Sequence, residues 1–375
     1  MVSSAAERCG IAAYSQDLAA ALRLSAEVDY AGYPPVHDDA AWFKLSKELS
    51  RSADVVHIQY HPHFCGYWRT PSQVWRFRDF LNSFSKPVVV TVHDLLDERP
   101  FRPCSSGFKG FVYRYFLTPF LDATPAGNFV RGGFLKPAHR LIVHWSGPAE
   151  MLEALGVEPR RIFTLYPGVP AMEGRESDLP SHVSEWLKSR RTLGMIGFVR
   201  PNKGFETVFQ ALARLPGDIG LLAIGGIPKG DEAYFNHLRS LIESQGLSGR
   251  VMFTNFLPNA EAQASLKACR LILLPYAPSM DTASYGLSYA LSSGVPVLTS
   301  DAPYFRELEK KYSAFRTFEK NKTDQLVLMI QELLKGNPEM ACHAEAFRRE
   351  WGWPQVASKT LQIYKEVLQK REVTA

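Results

Sequence analysis

The side chains of this chain that could do chemistry gather at the ends of short apolar runs. Pro87-Val88-Val89-Val90-Thr91-Val92 runs into His93 and Asp94, and Arg140-Leu141-Ile142-Val143 runs into His144. Short β-branched runs that end in polar residues read as buried parallel strands. Such strands deliver their last residues to the crevice at the carboxyl edge of the sheet. A histidine there can donate to a hydroxyl or to developing phosphate charge, or act as a base; it can equally be a cap or a packed ring. His57, His61 and His63 form a further group. Their spacing is irregular and no carboxylate lies nearby in sequence, so no metal site is expected.

The cations come from a turn. In Gly197-Phe198-Val199-Arg200-Pro201-Asn202-Lys203-Gly204 a strand ends, the chain bends through proline, and a helix follows. Arg200 offers a bidentate fork and Lys203 a point charge, and both suit a diphosphate leaving group. The plainer reading is a basic loop in solvent. Further on, Leu271-Ile272-Leu273-Leu274-Pro275-Tyr276 runs into a polar loop with Pro278, Ser279 and Asp281. A helix is expected to open near Ser284 to Gly286 and to close at Ser292-Ser293-Gly294, before a strand at Pro296-Val297-Leu298-Thr299. A helix that opens above a parallel sheet aims free N–H groups and a positive dipole end at the crevice, where a diphosphate can sit. An ordinary βαβ turn has the same outline. Gly10 lies between a short first strand and a helix carrying Ile11, Tyr14, Leu18 and Leu22 at helical spacing. It would let backbone approach a phosphate, though any tight turn into a helix favours glycine.

Several chemistries are excluded by what is missing. There is no G-x-G-x-x-G fingerprint of a nicotinamide or flavin enzyme and no G-x-S-x-G elbow of a serine hydrolase. The five cysteines, Cys9, Cys65, Cys104, Cys269 and Cys342, are scattered and never in C-x-x-C spacing. A disulfide framework or zinc site is not expected, and a reducing, cytoplasmic setting is.

Two series of strand–helix alternation must position these residues. The first has strands at Asp54–Tyr60, Pro87–Asp94, Arg140–His144 and Ile162–Val169. The second has strands at Thr192–Val199, Gly220–Gly226, Val251–Thr254 and Leu271–Tyr276. Helices are expected at Lys203 to about Leu215, Glu232 to Gln245 and Asn259 to Ala268. Ala171–Pro180 reads as a linker, and Trp351-Gly352-Trp353-Pro354 leads into a final helix. The expected fold class is α/β, with two Rossmann-like domains facing across a cleft. Residues 1–170 form the first domain and residues 171–350 the second. Residues 351–375 form a helix that crosses back to the first.

The length of 375 residues suits two domains, and no apolar run approaches the roughly 20 residues that span a bilayer. The net charge of +5 is unevenly spread. Arg99, Arg102, Lys109, Arg114, Arg131, Lys136 and Arg140 face the single acid Asp122, with nine aromatics interleaved. Basic-plus-aromatic helices can rest on anionic membrane or hold a negative acceptor; they can also be a core face backed by a solvated one. No nucleic-acid motif accompanies the patch.

In order and spacing the chain resembles a glycosyltransferase of the GT-B fold, close to retaining family 4. The likeness rests on Cys9-Gly10-Ile11-Ala12-x-Tyr14, Asp54-Val55-Val56-His57-Ile58-Gln59, Thr91-Val92-His93-Asp94, Tyr166-Pro167-Gly168-Val169, Gly197 to Gly204 and Gly294-Val295-Pro296-Val297. The resemblance implies a nucleotide-sugar donor held mainly by the second domain, and a glycan or lipid-linked acceptor held mainly by the first. It implies no cofactor and no metal ion, because Arg200 and Lys203 would neutralise the diphosphate. Gly10 would pack against that diphosphate, His93 would contact the transferred sugar, and Ser284, Tyr285 and Gly286 would lend helix amides. Asp94 and His144 are candidates for the acceptor. The family usually has two glutamates eight positions apart, and those positions hold Asp281 and Tyr289 here. Asp281 can accept from donor-sugar hydroxyls, whereas Tyr289 cannot hold two ribose hydroxyls as a carboxylate does. The arginine also sits three residues before Lys203, where many members place it five before. The chain thus reads as a member of a divergent subgroup. It would be a hexosyltransferase, cytoplasmic or peripheral on the inner face of a membrane. A non-catalytic homologue acting as a subunit or glycan-binding partner is the alternative, and an epimerase or phosphorylase of the same fold the next.

Overall fold

The computed structural model describes residues 1–4, 10–36, 38–65, 71–95, 112, 124–276 and 283–372. The chain divides into two compact units, Met1–Pro167 with Pro354–Ala375, and Gly168–Trp353. Each is built around a six-stranded sheet in which all pairings are parallel.

The first unit alternates β1 (Val2–Ser3), α1 (Gly10–Leu22), β2 (Ala31–Gly32), α2 (Asp39–Ser52), β3 (Val56–Tyr60), α3 (Pro71–Asn82) and β4 (Val88–Val92). It continues with α4 (Pro125–Arg131), β5 (Arg140–Val143), α5 (Ser146–Ala154) and β6 (Ile162–Thr164). The sheet order is β2-β1-β3-β4-β5-β6. Strand direction of travel therefore reverses between β1 and β3. In such sheets that is where ligands settle above the carboxyl ends.

Period-two alternation sorts the strand side chains onto two faces. Val56, Ile58 and Tyr60 of β3, Val88, Val90 and Val92 of β4, and Leu141 and Val143 of β5 join one apolar cluster with Phe77, Phe80 and Phe134. His57 and Gln59, then Thr91 and His93, then Ile142 and His144, must accordingly lie on the other face. That face meets Tyr14 of α1 and Tyr364 of the chain's last helix.

The second unit runs α6 (Ser181–Lys188), β7 (Arg191–Ile196), α7 (Phe205–Leu212), β8 (Ile219–Ile224), α8 (Glu232–Ser244), β9 (Val251–Phe253), α9 (Asn259–Lys267) and β10 (Leu271–Leu274). After these come α10 (Tyr285–Ser292), β11 (Val297–Ser300), α11 (Pro303–Tyr312), β12 (Arg316–Phe318), α12 (Thr323–Leu333), α13 (Pro338–Trp351) and α14 (Trp353–Glu372), whose residues from Pro354 on belong to the first unit. The sheet order β12-β11-β10-β7-β8-β9 puts its reversal between β7 and β10.

Residues 171–180, which composition marks as a linker, lie on the second unit. The Glu173 and Gly174 amides both donate to Gln263 Oε1 at 2.9 Å, and the Gln263 amide donates to the Ala171 carbonyl. The basic stretch from Arg99 to Arg140 is described only from Thr124 onward, with Val112. In that part Phe134 is core, and Arg140 is a buried strand residue whose Nη1 donates to the His139 carbonyl. No helix among the described residues is long and apolar enough to cross a membrane.

Candidate functional site

In the first unit, the polar face of β3, β4 and β5 carries a continuous chain of hydrogen-bonding groups. His144 Nδ1 lies 2.8 Å from the Leu165 carbonyl, and His144 Nε2 lies 3.2 Å from His93 Nδ1. His93 Nε2 meets the Gln59 amide at 2.9 Å, and the other end of that amide meets His57 Nε2 at 3.2 Å. His57 Nε2 also faces Thr91 Oγ1 at 2.7 Å, and His57 Nδ1 faces the Tyr364 hydroxyl at 2.5 Å. Tyr14 stands edge-on to both His93 and His144, with ring centroids 4.8 and 5.2 Å away.

Burial sets the electrostatics of this row. Losing water disfavours the imidazolium, so His57 is pushed down to about 3 and His144 to about 4. His93 is held well below its ordinary value of 6.5 by burial first and by the neighbouring histidines second. The same burial raises Tyr14 and Tyr364 above the ordinary phenol value. All three rings are therefore neutral at pH 7.

Of the residues singled out in sequence, His93 and His144 are brought together, while Asp94 turns to His61, 3.8 Å from its Nε2. Gly10 opens α1, and a Cβ added there meets nothing within 4 Å. The described fold therefore does not itself require glycine at this position. His57 and His61 stand apart in their contacts, and the described residues hold no group of three or more potential metal ligands.

In the second unit, the segment after β7 is locked against the end of β10. Gly204 is left-handed, with φ +72°, and a Cβ on it would lie 1.9 Å from the Pro275 carbonyl oxygen. No side chain fits there, which explains the glycine. The lock brings Lys203 Nζ over the buried ring of Tyr276, 3.8 Å from its centroid. Tyr276 in turn sets the start of α10. Its hydroxyl is 3.0 Å from Ser284 Oγ, which caps the helix by accepting from the Leu287 amide at 3.2 Å. A Cβ on Gly286 would lie 2.8 Å from the Tyr276 hydroxyl, so glycine is needed for this approach. Lys203, Ser284 and Gly286 thus share one tyrosine.

The other candidates point elsewhere. Arg200 Nε donates to Asp231 at 3.0 Å, a partner 31 residues away that nothing in the local sequence signals. The Tyr285 hydroxyl accepts from Trp353 Nε1 at 3.2 Å. The Tyr289 hydroxyl donates to Asn259 Oδ1 at 2.9 Å. Asp281 lies outside the described residues. Sequence reasoning missed Gln59, Tyr364, Tyr276 as an anchor, and Asp231. Only Gln59 had a usable signal, because alternation from His57 puts it on the same face of β3.

The first unit carries a row of neutral histidines at its sheet's carboxyl edge; the second, by itself, carries a cation and a capped helix start at its sheet's reversal point. Residues 181–350 match the family described as glycosyl transferases group 1. D-inositol 3-phosphate glycosyltransferase of Mycobacterium tuberculosis is 28% identical over 172 residues, 44% of this chain and 34% of that protein. The match thus spans about a third of the curated relative's length. Among solved structures, HepE of Anabaena in complex with UDP gives a TM-score of 0.73 at 15% identity, covering 97% of this chain and 98% of that one. Sucrose-phosphate synthase of Thermosynechococcus elongatus gives 0.68 at 16% identity, covering 98% of each chain. The whole chain therefore has the GT-B fold, and residues 181–350 of its second unit are similar to the glycosyl transferases group 1 family.

Proposed function

We propose that the chain transfers a hexose-like sugar from a nucleoside-diphosphate sugar to a hydroxyl of a glycan or lipid-linked glycan, with retention of configuration. The observation that carries this reading is Lys203, held by the Gly204–Pro275 lock and the Tyr276 ring beside the capped start of α10. A diphosphate laid there meets a cation and the helix amides of Tyr285 and Gly286 together, which favours charge that grows as the sugar–phosphate bond breaks. Arg200 can add a second cation from its pair with Asp231. Asp281 would accept from donor-sugar hydroxyls, and Tyr289 with Asn259 would meet the ribose.

In the first unit, Gly10 would lie against the diphosphate, its open Cβ position leaving the room. His93 would face the reacting centre, with Asp94 and His144 on the acceptor side. Because both His144 nitrogens are engaged, its contribution is to orient His93. In a retaining transfer the leaving phosphate oxygen takes the acceptor proton on the same face of the sugar. The new bond to the anomeric carbon forms there as the old one breaks. No metal ion or cofactor enters this scheme. Contact with a membrane surface by the basic 99–140 stretch belongs to the same proposal and fits a lipid-linked acceptor.

HepE has been solved with UDP and with UDP-glucose, which makes UDP-sugars the first donors to try. Thermal shift against UDP, GDP, ADP, CMP and their sugar conjugates tests the reading. A ligand at 100 times its dissociation constant adds about 2.7 kcal/mol to stability. One responding nucleotide supports a donor site. A folded protein indifferent to all of them overturns the reading in favour of a non-catalytic partner.

A further inference from the structure

We infer that Trp353 is a positioning residue of the donor site: its indole braces Tyr285, the first residue of α10, and so aims the helix amides that a diphosphate would meet. This role presupposes the donor site proposed at α10. Two stretches that the sequence singles out, Tyr166-Pro167-Gly168-Val169 and Trp351-Gly352-Trp353-Pro354, come together at this residue. The chain leaves the first unit between Pro167 and Gly168 and returns to it between Trp353 and Pro354. Within the second unit the two stretches lie side by side. The Val169 amide donates to the Trp351 carbonyl at 2.8 Å, and Val169 pairs with Gly352 in a parallel bridge. A Cβ on Gly168 would lie 2.3 Å from Cδ2 of the Trp353 indole. The ring therefore sits directly on the Gly168 backbone, where only glycine leaves it room. Trp351 is held as well, its Nε1 donating to the Tyr312 hydroxyl at 2.8 Å.

From that seat the indole can act in one direction only. An indole N–H donates and cannot accept, so in the 3.2 Å contact between Trp353 Nε1 and the Tyr285 hydroxyl the tyrosine is the acceptor. Trp353 is buried, and breaking this bond would strand its donor away from water. The two rings also meet edge to face, with centroids 6.0 Å apart, and Tyr285 stands edge-on to Tyr289 at 5.2 Å. The first turn of α10 is thus held from two sides. Tyr276 holds Ser284, the cap, and Trp353 holds Tyr285, the residue after it. The bond from the Leu287 amide to Ser284 fixes where the helix begins, but the free amides at its start still need a direction. The brace at Tyr285 supplies that direction. Fixed donors of this kind act most where charge grows, so a loosened helix start weakens the transition state more than it weakens binding.

Trp353→Phe keeps a ring on Gly168 and removes the donor, while Tyr285→Phe keeps the ring pair and removes the acceptor. Each should lower kcat on the order of 10-fold with donor KM little changed. The double variant should fall no further than either single one, because both break the same bond. Losses that multiply in the double variant, or full kcat in a folded Trp353→Phe, would overturn the inference. Indole 15N spectra give a readout that a purely structural role would not move. The Trp353 signal, identified by its loss in Trp353→Phe, should exchange slowly with solvent and shift in Tyr285→Phe. It should also shift when the nucleoside diphosphate that stabilises the protein, UDP first, is added. In Tyr285→Phe that response should disappear although the nucleotide still binds. A Trp353 signal left unmoved in wild-type protein that binds the nucleotide sinks the inference alone. A folded protein that no nucleoside diphosphate stabilises sinks the transfer reading, and this role in the donor site with it.

Discussion

Lowering the pH from 7.5 to 5 should loosen the first unit and spare the second. His57 titrates at about 3 and His144 at about 4 in the fold, against 6.5 for an exposed ring. Between 6.5 and the folded values the open chain binds protons that the fold refuses, so stability rises with pH there and is lost as pH falls. Above 6.5 both states are neutral and the effect vanishes. Each pH unit in the window costs about 1.4 kcal/mol per ring, so the 1.5 units down to pH 5 cost about 2 kcal/mol each. His57 and His144 together lose about 4 kcal/mol, a large share of the roughly 5–15 kcal/mol that holds a domain. His93 adds to this in the same direction. The second unit buries no histidine among its described residues and serves as an internal control. Hydrogen exchange of peptides covering β3 and β4, corrected for intrinsic rates, should show protection falling about a thousand-fold between pH 7.5 and 5. Peptides covering β7 and β8 should change far less. Equal protection of β3 and β4 at the two pH values would refute the buried, neutral assignment.

Other expectations concern the second sheet and the glycines. Lys203→Ala should cost about 2–4 kcal/mol in kcat/KM if the ammonium meets the leaving diphosphate; single-turnover rates equal to wild type would remove it from the site. Gly204→Ala should destabilise by at least about 1–2 kcal/mol, because its Cβ strikes the Pro275 carbonyl in a left-handed turn, and urea unfolding measures this. Gly10→Ala should unfold at the wild-type denaturant concentration or slightly above it, since a Cβ there meets nothing and alanine favours helix, while donor-dependent turnover falls. Tyr276→Phe should cost about 1 kcal/mol by removing the bond to Ser284, and it should leave the Ser284 cap itself in place; a loss several times larger would show that the hydroxyl holds more than this helix start.

Much of the fold was legible because parallel strands buried on both faces must be short, apolar and β-branched, and each of those read from the sequence starts within two residues of its expected first residue, although β6 stops at Thr164 and not at Val169. The elements that sequence reading passed over have a different character. β2 is two residues, too short for any period to show, and β12 is three. The start of α10 was legible for a chemical reason: Ser284 is a capping residue placed after an apolar strand, and it caps. The linker reading of 171–180 rests on Pro, Gly and acids, and composition cannot show that Gln263, 90 residues on, binds that backbone.

The candidate site divides along the same line. A histidine at a strand end is visible as a position, and from that position His93 could be singled out as chemically placed. What the histidine is cannot be read there, because its charge and tautomer are set by groups that the fold recruits from far away. His57 looked like one of three irregular histidines, yet alternation alone puts it on the His93 face with Gln59, and it is the fold that supplies Tyr364 to finish the row. The same holds for the cations. Arg200 and Lys203 are adjacent in the turn and equivalent on paper, but Lys203 is drawn onto Tyr276 at the sheet's reversal point while Arg200 is answered by Asp231. Of the two, Lys203 is therefore the cation already beside the start of α10, where the proposed diphosphate would sit, and Arg200 is the one that would have to exchange a partner to join it.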